Sequence, residues 1–139
     1  MAKRRPISAP PDMIRFVPQN GQDKDCVVAT LGTLFGLTRD EALLACGRAC
    51  PSVLEEGMSD VEIDAALLYI GAKFKRLPAG SFDLHDATGV LAVGKKEMQH
   101  AVLLWEGRIV EGNGEHWLDP DDYLQHYKYK PLHLIVRLD

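Results

Sequence analysis

A chain of 139 residues, 46% of them hydrophobic, is long enough to bury one core and falls in the usual size range of a single domain. The formal net charge of −4 provides no general basic field, so the composition does not favour nucleic acid as a partner. The longest apolar runs are far shorter than the roughly 18 residues of a membrane-spanning helix, and the N-terminus lacks the apolar core of a signal peptide. We therefore expect a cytoplasmic protein without a membrane partner.

The first twelve residues differ in composition from the rest of the chain. Residues 1–12 combine three basic side chains with three prolines, a composition that buries little apolar surface and sustains no helix. We expect a basic, proline-rich arm over 1–12 that docks on a protein partner, followed by one domain over 13–139. Met13 to Val17 is a candidate short strand that ends before Pro18.

Helix signals are concentrated in the first half of the chain. The run CVVATLGTLFG, which begins at Cys26, is almost wholly apolar and too long for a typical strand, so it predicts a buried helix. Two capping boxes, each with a hydroxyl residue three positions before a glutamate, predict the starts of two further helices: Thr38 with Glu41, and Ser59 with Glu62.

Strand signals dominate the second half. Short runs rich in β-branched and apolar residues lie between turn residues at Lys73 to Leu77, Val90 to Val93, Gln99 to Trp105, Arg108 to Gly112 and Leu132 to Leu138. A helix-rich half followed by a strand-rich half, without regular alternation, indicates an α+β fold. We expect the N-terminal helices to pack on a C-terminal antiparallel sheet.

Cys26 is the first candidate for chemistry. A cysteine is a useful nucleophile only as the thiolate, and its unperturbed pKa near 8.5 leaves it mostly protonated at neutral pH. Cys26 follows a polar loop and opens the predicted apolar helix, where free backbone N–H groups and the helix dipole stabilise negative charge. The alternative is a small buried hydrophobe, because free cysteines are among the most buried residues.

A predicted hairpin supplies the partners of this thiol. His100 opens the run HAVLLW, which Glu106 and Gly107 separate from RIVEGN, and a two-residue separation is typical of a β-hairpin. Counting outward from that turn places His100 opposite Asn113, with Cβ atoms about 5 Å apart on one face of the sheet. The pairing depends on the register, because a slip of one residue would place the two side chains on opposite faces.

Cys26, His100 and Asn113 would together provide a nucleophile, a base and an orienting residue, the set that acyl transfer by a cysteine enzyme requires. The reaction also needs a donor for the developing oxyanion. The side-chain amide of Gln19, or alternatively that of Gln22, would supply one beside the backbone N–H of Cys26.

Two segments resemble the papain-like cysteine peptidases related to the bacteriocin-leader-processing domains. The segment QNGQDKDCVVATL resembles their nucleophile segment, and HAVLLWEGRIVEGN resembles their second motif, a His on one strand and an Asp or Asn on the next. The resemblance implies a papain-like fold that cleaves peptide bonds, often after small residues such as paired glycines, without metal or cofactor. Asp119 is the alternative third triad member, because Asp119-Pro120 resembles the Asp-Pro that often holds that place in the family.

Other candidates are more readily explained by structure. Cys46 and Cys50 lie four residues apart on a predicted helix, but two ligands fall short of the usual four of a structural zinc site, so we expect no metal. His116 is the exception among the remaining histidines, because it lies three residues after Asn113 and a longer loop would bring it to the cleft.

Three hypotheses for function follow. The first is a cysteine peptidase or related acyl-transfer enzyme with a peptide or protein substrate. The second is a catalytically silent papain-like fold that serves as a binding or structural module, for example in phage assembly, since fold does not imply function. The third is another acyl chemistry on the same triad, such as deamidation or amide crosslinking. Compact members of the family that the two segments resemble also occur in phage genomes. If this chain is phage-encoded, we expect it in the cytoplasm or associated with the virion.

Overall fold

The computed structural model describes residues 26–53, 57–96 and 98–138. The predicted arm over 1–12, the candidate strand over 13–17, Gln19 and Gln22 lie outside these ranges. Within them the helices and strands are α1 (Cys26–Phe35), α2 (Arg39–Ala49), α3 (Asp60–Tyr69), β1 (Phe74–Pro78), β2 (Gly89–Lys95), β3 (Met98–Trp105), β4 (Arg108–Val110), β5 (His116–Trp117), α4 (Pro120–Tyr127) and β6 (Lys130–Arg137).

Helix α1 is buried on all sides after its first residue. The side chains from Val27 to Leu34 are all buried, as the apolar run predicted. The hydroxyl of Thr30 donates to the Cys26 carbonyl at 2.8 Å, which satisfies a polar group that would otherwise be costly to bury. The helix ends at Gly36, whose φ of 71° suits the left-handed residue of a C-terminal cap.

Both predicted capping boxes are confirmed. The Thr38 hydroxyl accepts the N–H of Glu41 at 3.1 Å, and the Glu41 carboxylate accepts the N–H of Thr38 at 2.9 Å. Ser59 and Glu62 repeat this arrangement at the start of α3. Each cap satisfies backbone donors that the first helical turn leaves without intrahelical partners.

The strands form one six-stranded antiparallel sheet in the order β1-β6-β2-β3-β4-β5. The predicted α+β class is confirmed. The five predicted strands are present with ends shifted by no more than two residues, and β4 ends at Val110 instead of Gly112.

Two hydrophobic clusters contain side chains of the sheet. The first joins helices α1 to α3 with strand residues such as Leu103, and the second joins α4 with strand residues such as Val102. Leu103 and Val102 are neighbours on β3, and successive side chains of a strand point to opposite faces. The two clusters therefore lie against opposite faces of β3. None of the helices within the described ranges is long and apolar enough to cross a membrane.

Helix α4 and strand β5 were not predicted. Asp119 caps α4 by accepting the N–H of Asp121 at 3.0 Å, and Pro120 occupies the first turn. Asp followed by Pro is a common helix start, because proline has no N–H to leave unpaired and its fixed φ suits the first turn. The dipeptide that resembled a triad element is therefore a helix cap.

The β3–β4 turn contacts a neighbouring loop closely. Glu106 and Gly107 have φ of 47° and 78°, as a two-residue turn of this kind requires. A Cβ at Gly107 would lie 2.2 Å from the carbonyl oxygen of His85, whereas a Cβ at Gly80, which also has positive φ, would meet nothing within 4 Å.

We predict that Gly107→Ala destabilises the protein more than Gly80→Ala does. Both substitutions force alanine into a left-handed conformation, at about 1–2 kcal/mol. Gly107→Ala adds a backbone clash, which should cost roughly 1–3 kcal/mol more. Urea unfolding of the two variants measures the difference, and equal losses would contradict the close contact with His85.

Candidate active site

Cys26 is the first residue of α1 and is half-buried, unlike the residues that follow it. The first N–H groups of a helix have no intrahelical partners, and the positive end of the helix dipole lies there. The thiol therefore occupies the end of α1 where a negative charge, on sulfur or on a bound oxyanion, is stabilised.

His100 lies on β3 and contacts two groups through its ring. Its Nε2 donates to Oε1 of Glu111 at 2.7 Å, and the Cys26 thiol lies near enough to the ring to help raise the pKa of His100. Because Nε2 faces the carboxylate, Nδ1 is the ring nitrogen left for the thiol. The imidazole thus joins a cysteine on one side to a carboxylate on the other, which is the connectivity of a catalytic triad.

Glu111 is buried and receives several donors. Its side chain is only 10% exposed, against 19% for His100. Besides the imidazole, the Tyr123 hydroxyl donates to its Oε2 at 2.7 Å and the Gly112 N–H donates to its Oε1 at 3.0 Å. A buried carboxylate is stable only with such partners, so these contacts fix both its position and its charge.

The charges of the pair reinforce each other. Burial by itself lowers the pKa of His100, but the hydrogen bonds and charges of Cys26 and Glu111 outweigh it and raise that pKa to about 10. Burial raises the pKa of Glu111, but the His100 imidazolium, with the donors Tyr123 and Gly112, brings that pKa below its usual value. The site therefore favours an imidazolium facing a carboxylate at neutral pH.

The predicted pairing of His100 with Asn113 is wrong. The hairpin register is as expected through Leu103 and Val110, but β4 ends there. Residues 111–115 form a turn in which the Gly114 N–H donates to the Glu111 carbonyl. Asn113 is exposed, and its Oδ1 accepts the Glu115 N–H at 2.9 Å.

The error has a simple geometric cause. If the observed register continued beyond the end of β4, Glu111 would lie two residues from the position opposite His100. It would lie on the same face of the sheet as His100. Such diagonal neighbours lie about 7–8 Å apart at the backbone, within reach of a long side chain. The signal that was missed is Gly112-Asn113-Gly114, a typical turn sequence that ends the strand before Asn113.

The other candidates occupy structural positions. Asp119, the alternative third residue, is the N-cap of α4. His116 is buried on β5, opposite Val110. The oxyanion donors Gln19 and Gln22 remain predictions, since both lie outside the described residues.

Aromatic side chains of α4 and the following residues lie beside the triad. The Tyr129 ring centroid is 6.2 Å from that of His100, and the charges of Glu111 and Cys26 contribute, after burial, to a raised pKa of Tyr129. Tyr129 also stacks on Tyr127 at 5.6 Å. Tyr129 therefore lies near all three members of the triad.

The other two cysteines differ sharply from Cys26. Cys46 and Cys50 are buried at 0% and 3% exposure. Burial, with a smaller contribution from Cys50, raises the pKa of Cys46 to about 12. Neither environment favours a thiolate, so Cys26 is the one cysteine of the described residues that combines partial exposure with an imidazole partner.

We predict that Glu111→Gln lowers the pKa of His100 by about one to three units, the usual effect of losing a close opposite charge. The carboxylate stabilises the protonated ring, so its removal lets the proton leave at lower pH. Histidine ring NMR measures this titration. Alkylation of Cys26 by iodoacetamide should also require higher pH, because the imidazolium no longer holds the thiolate over the same range.

Asn113→Ala is the matched control, since the hydrogen bond shown for its side chain is to the Glu115 N–H. It should leave both pH profiles close to those of the unmodified protein. An Asn113→Ala profile that shifts while that of Glu111→Gln does not would restore Asn113 as the orienting residue.

No protein-family model matches this chain, and comparison with curated proteins and with solved structures gave no match. Function therefore has to be argued from the site itself. The geometry joins a half-buried cysteine at a helix N-terminus, an imidazole and a buried carboxylate, and these groups together can perform acyl transfer.

Proposed function

We propose that this chain is a cysteine peptidase or related acyl-transfer enzyme that acts on peptide or amide bonds. Cys26 is the nucleophile and His100 the general acid and base. Glu111 is a positioning residue that orients the imidazole and favours its protonated form. In this proposal the chain has a papain-like fold, with its N-terminal helices packed on the sheet.

One observation carries the proposal. The His100 ring donates to a buried carboxylate that has two further donors, and the Cys26 thiol lies near enough to help raise the pKa of the ring. A histidine that only filled space in the core would not need a carboxylate partner that is itself held by two further hydrogen bonds. Burying a carboxylate costs free energy, and ionisable groups buried at such a cost are common at functional sites.

Acylation begins with the thiolate of Cys26 beside the imidazolium of His100. The sulfur attacks the carbonyl carbon, and the electron pair of the carbonyl bond moves to oxygen. In this proposal the backbone N–H of Cys26 donates to the oxyanion, and the expected second donor is Gln19. As the carbon–nitrogen bond breaks, His100 gives its proton to the leaving amine, and a thioester remains on Cys26.

Deacylation uses the same groups in reverse. Neutral His100 takes a proton from water, whose oxygen attacks the thioester carbonyl. The carbon–sulfur bond then breaks, the acid product leaves, and Cys26 returns to the thiolate beside a protonated His100. Glu111 stabilises that imidazolium at each stage, as carboxylates do in related triads.

We predict that an electrophilic peptide probe labels Cys26 far faster than Cys46 or Cys50. Cys46 and Cys50 belong to the same protein and are exposed to the probe in the same sample, but they are buried. They therefore serve as internal controls. Mapping the labelled cysteine by mass spectrometry at neutral pH provides the comparison. If Cys26 reacts no faster than the other two in the folded protein, the proposed enzyme fails and a binding module takes its place.

His100→Ala should lower hydrolysis of a peptide library by about 10²- to 10⁴-fold, the usual contribution of a general acid–base group. His85→Ala is the matched control, because His85 is half-exposed and pairs with Asp121 away from the triad. Cleaved bonds are counted as new N-termini by mass spectrometry. Equal activity of the two variants would remove His100 from the mechanism.

A further inference from the structure

A groove of about 430 Å³ lies at the β2–β3 turn and is bordered by β6 and by the residue that follows α4. We call it the lysine groove, defined by its lining residues Gly94, Lys95, Lys96, Met98, Gln99, Lys128, Lys130 and Leu132. Its four lysines are all exposed, and they are half of the eight lysines in the chain. No acidic residue lines it among the described residues.

The lysine groove is positively charged although the net charge of the molecule is negative. The chain as a whole has a formal net charge of −4, so the groove is a local basic surface on an acidic protein. Neighbouring like charges repel, and a bound anion would relieve that repulsion. The groove therefore has the charge of a site for an anionic partner.

Two of these lysines occupy backbone conformations that favour glycine. Lys96 and Lys128 have φ of 55° and 59°, and Glu106 is the third described residue other than glycine with positive φ. Lys96 lies in the turn between the paired residues Lys95 and Met98, and Lys128 follows the last turn of α4. Glycine or asparagine is usual at such places, so lysine there carries a local conformational cost.

The groove leads to the triad through one aromatic ring. Lys95 Nζ lies 5.4 Å from the ring centroid of Tyr129 and donates to the Tyr127 carbonyl at 3.3 Å. Tyr129 is also a neighbour of His100, at 6.2 Å between ring centroids. A peptide extends by about 3.4 Å per residue, so a few residues span the distance from Lys95 past Tyr129 to His100.

We propose that the lysine groove binds an acidic segment of the peptide or protein substrate, near the bond that Cys26 attacks. The inference rests on the proposed function, because a chain that acts on amide bonds must hold a polypeptide beside its nucleophile. Carboxylates complement the four lysines, and Met98 and Leu132 contact the aliphatic parts of the segment. Single-stranded nucleic acid is disfavoured, because the described lining contains no aromatic side chain on which bases stack.

Fluorescence anisotropy of two labelled peptides tests the groove directly. An alternating Glu-Gly octamer should bind about tenfold more tightly at low ionic strength than the Gln-Gly octamer of the same length. The difference should shrink as salt is added, since the Debye length falls from about 30 Å at 0.01 M to about 8 Å at 0.15 M. Equal binding of the two peptides overturns the proposal.

Paired charge reversals locate the binding surface. Lys96→Glu with Lys128→Glu should abolish the preference for the acidic peptide. Lys73→Glu with Lys75→Glu makes the same change in charge on exposed residues at and just before β1, outside the lysine groove, and should retain most of the preference. Similar losses in both double variants would show a general charge effect and overturn the groove.

Glycine substitutions separate binding from stability. The double variant Lys96→Gly with Lys128→Gly removes two charges and places glycine at both positions of left-handed backbone. The midpoint of thermal unfolding should therefore stay equal or rise. The acidic peptide should bind several-fold more weakly. Unchanged peptide binding would contradict the proposal.

The two proposals fail separately. Alkylation of Cys26 by iodoacetamide, a small neutral reagent, reports the nucleophile without the groove. If Cys26 is alkylated rapidly but the acidic peptide binds no better than the neutral one, only the proposal for the lysine groove fails. If the acidic peptide binds selectively but Cys26 is inert, the lysine groove is supported and the proposed enzyme function fails. Tighter binding of an oligothymidine than of the acidic peptide would reassign the lysine groove to nucleic acid.

Discussion

The hydrogen-bonded pair of His100 and Glu111 is the interaction on which the candidate site depends. It joins β3 to the turn that follows β4, and through Tyr123 it draws α4 into the same network. Cys26 completes the network from the start of α1. Segments far apart in the sequence therefore meet around one buried charge pair.

Such a pair contributes more to specificity than to stability. Removing two charges from water costs several kcal/mol for each ion, and their attraction repays this only with good geometry and additional hydrogen bonds. The additional bonds here come from the Tyr123 hydroxyl and the Gly112 N–H. A different arrangement of the turn or of α4 would remove one of these two donors and leave the carboxylate with fewer partners.

A carboxylate as the third group has a different effect from an amide. An asparagine would orient the imidazole without adding charge, whereas Glu111 also raises the pKa of His100. The ring therefore keeps its proton over a wider range of pH. The long Glu side chain also reaches diagonally across the hairpin, which a shorter Asn at that position would not do.

The sequence by itself determined the local elements and singled out Cys26 and His100 as candidates. Both capping boxes, the apolar helix at Cys26 and the turn at Glu106 and Gly107 follow from short-range rules of hydrogen bonding, burial and backbone conformation. These rules act within a few residues, and so a single sequence reveals them. They also placed His100 on the correct strand.

Only the tertiary structure decided which acidic or amide group meets His100. The choice between Asn113 and Glu111 depends on where β4 ends, which packing of β5 and the donors on Glu111 settle together. The lysine groove likewise joins the β2–β3 turn to residues after α4, more than thirty positions further along the chain. Contacts of this kind depend on sheet order and on the packing of α4, and no local pattern in a single sequence encodes them.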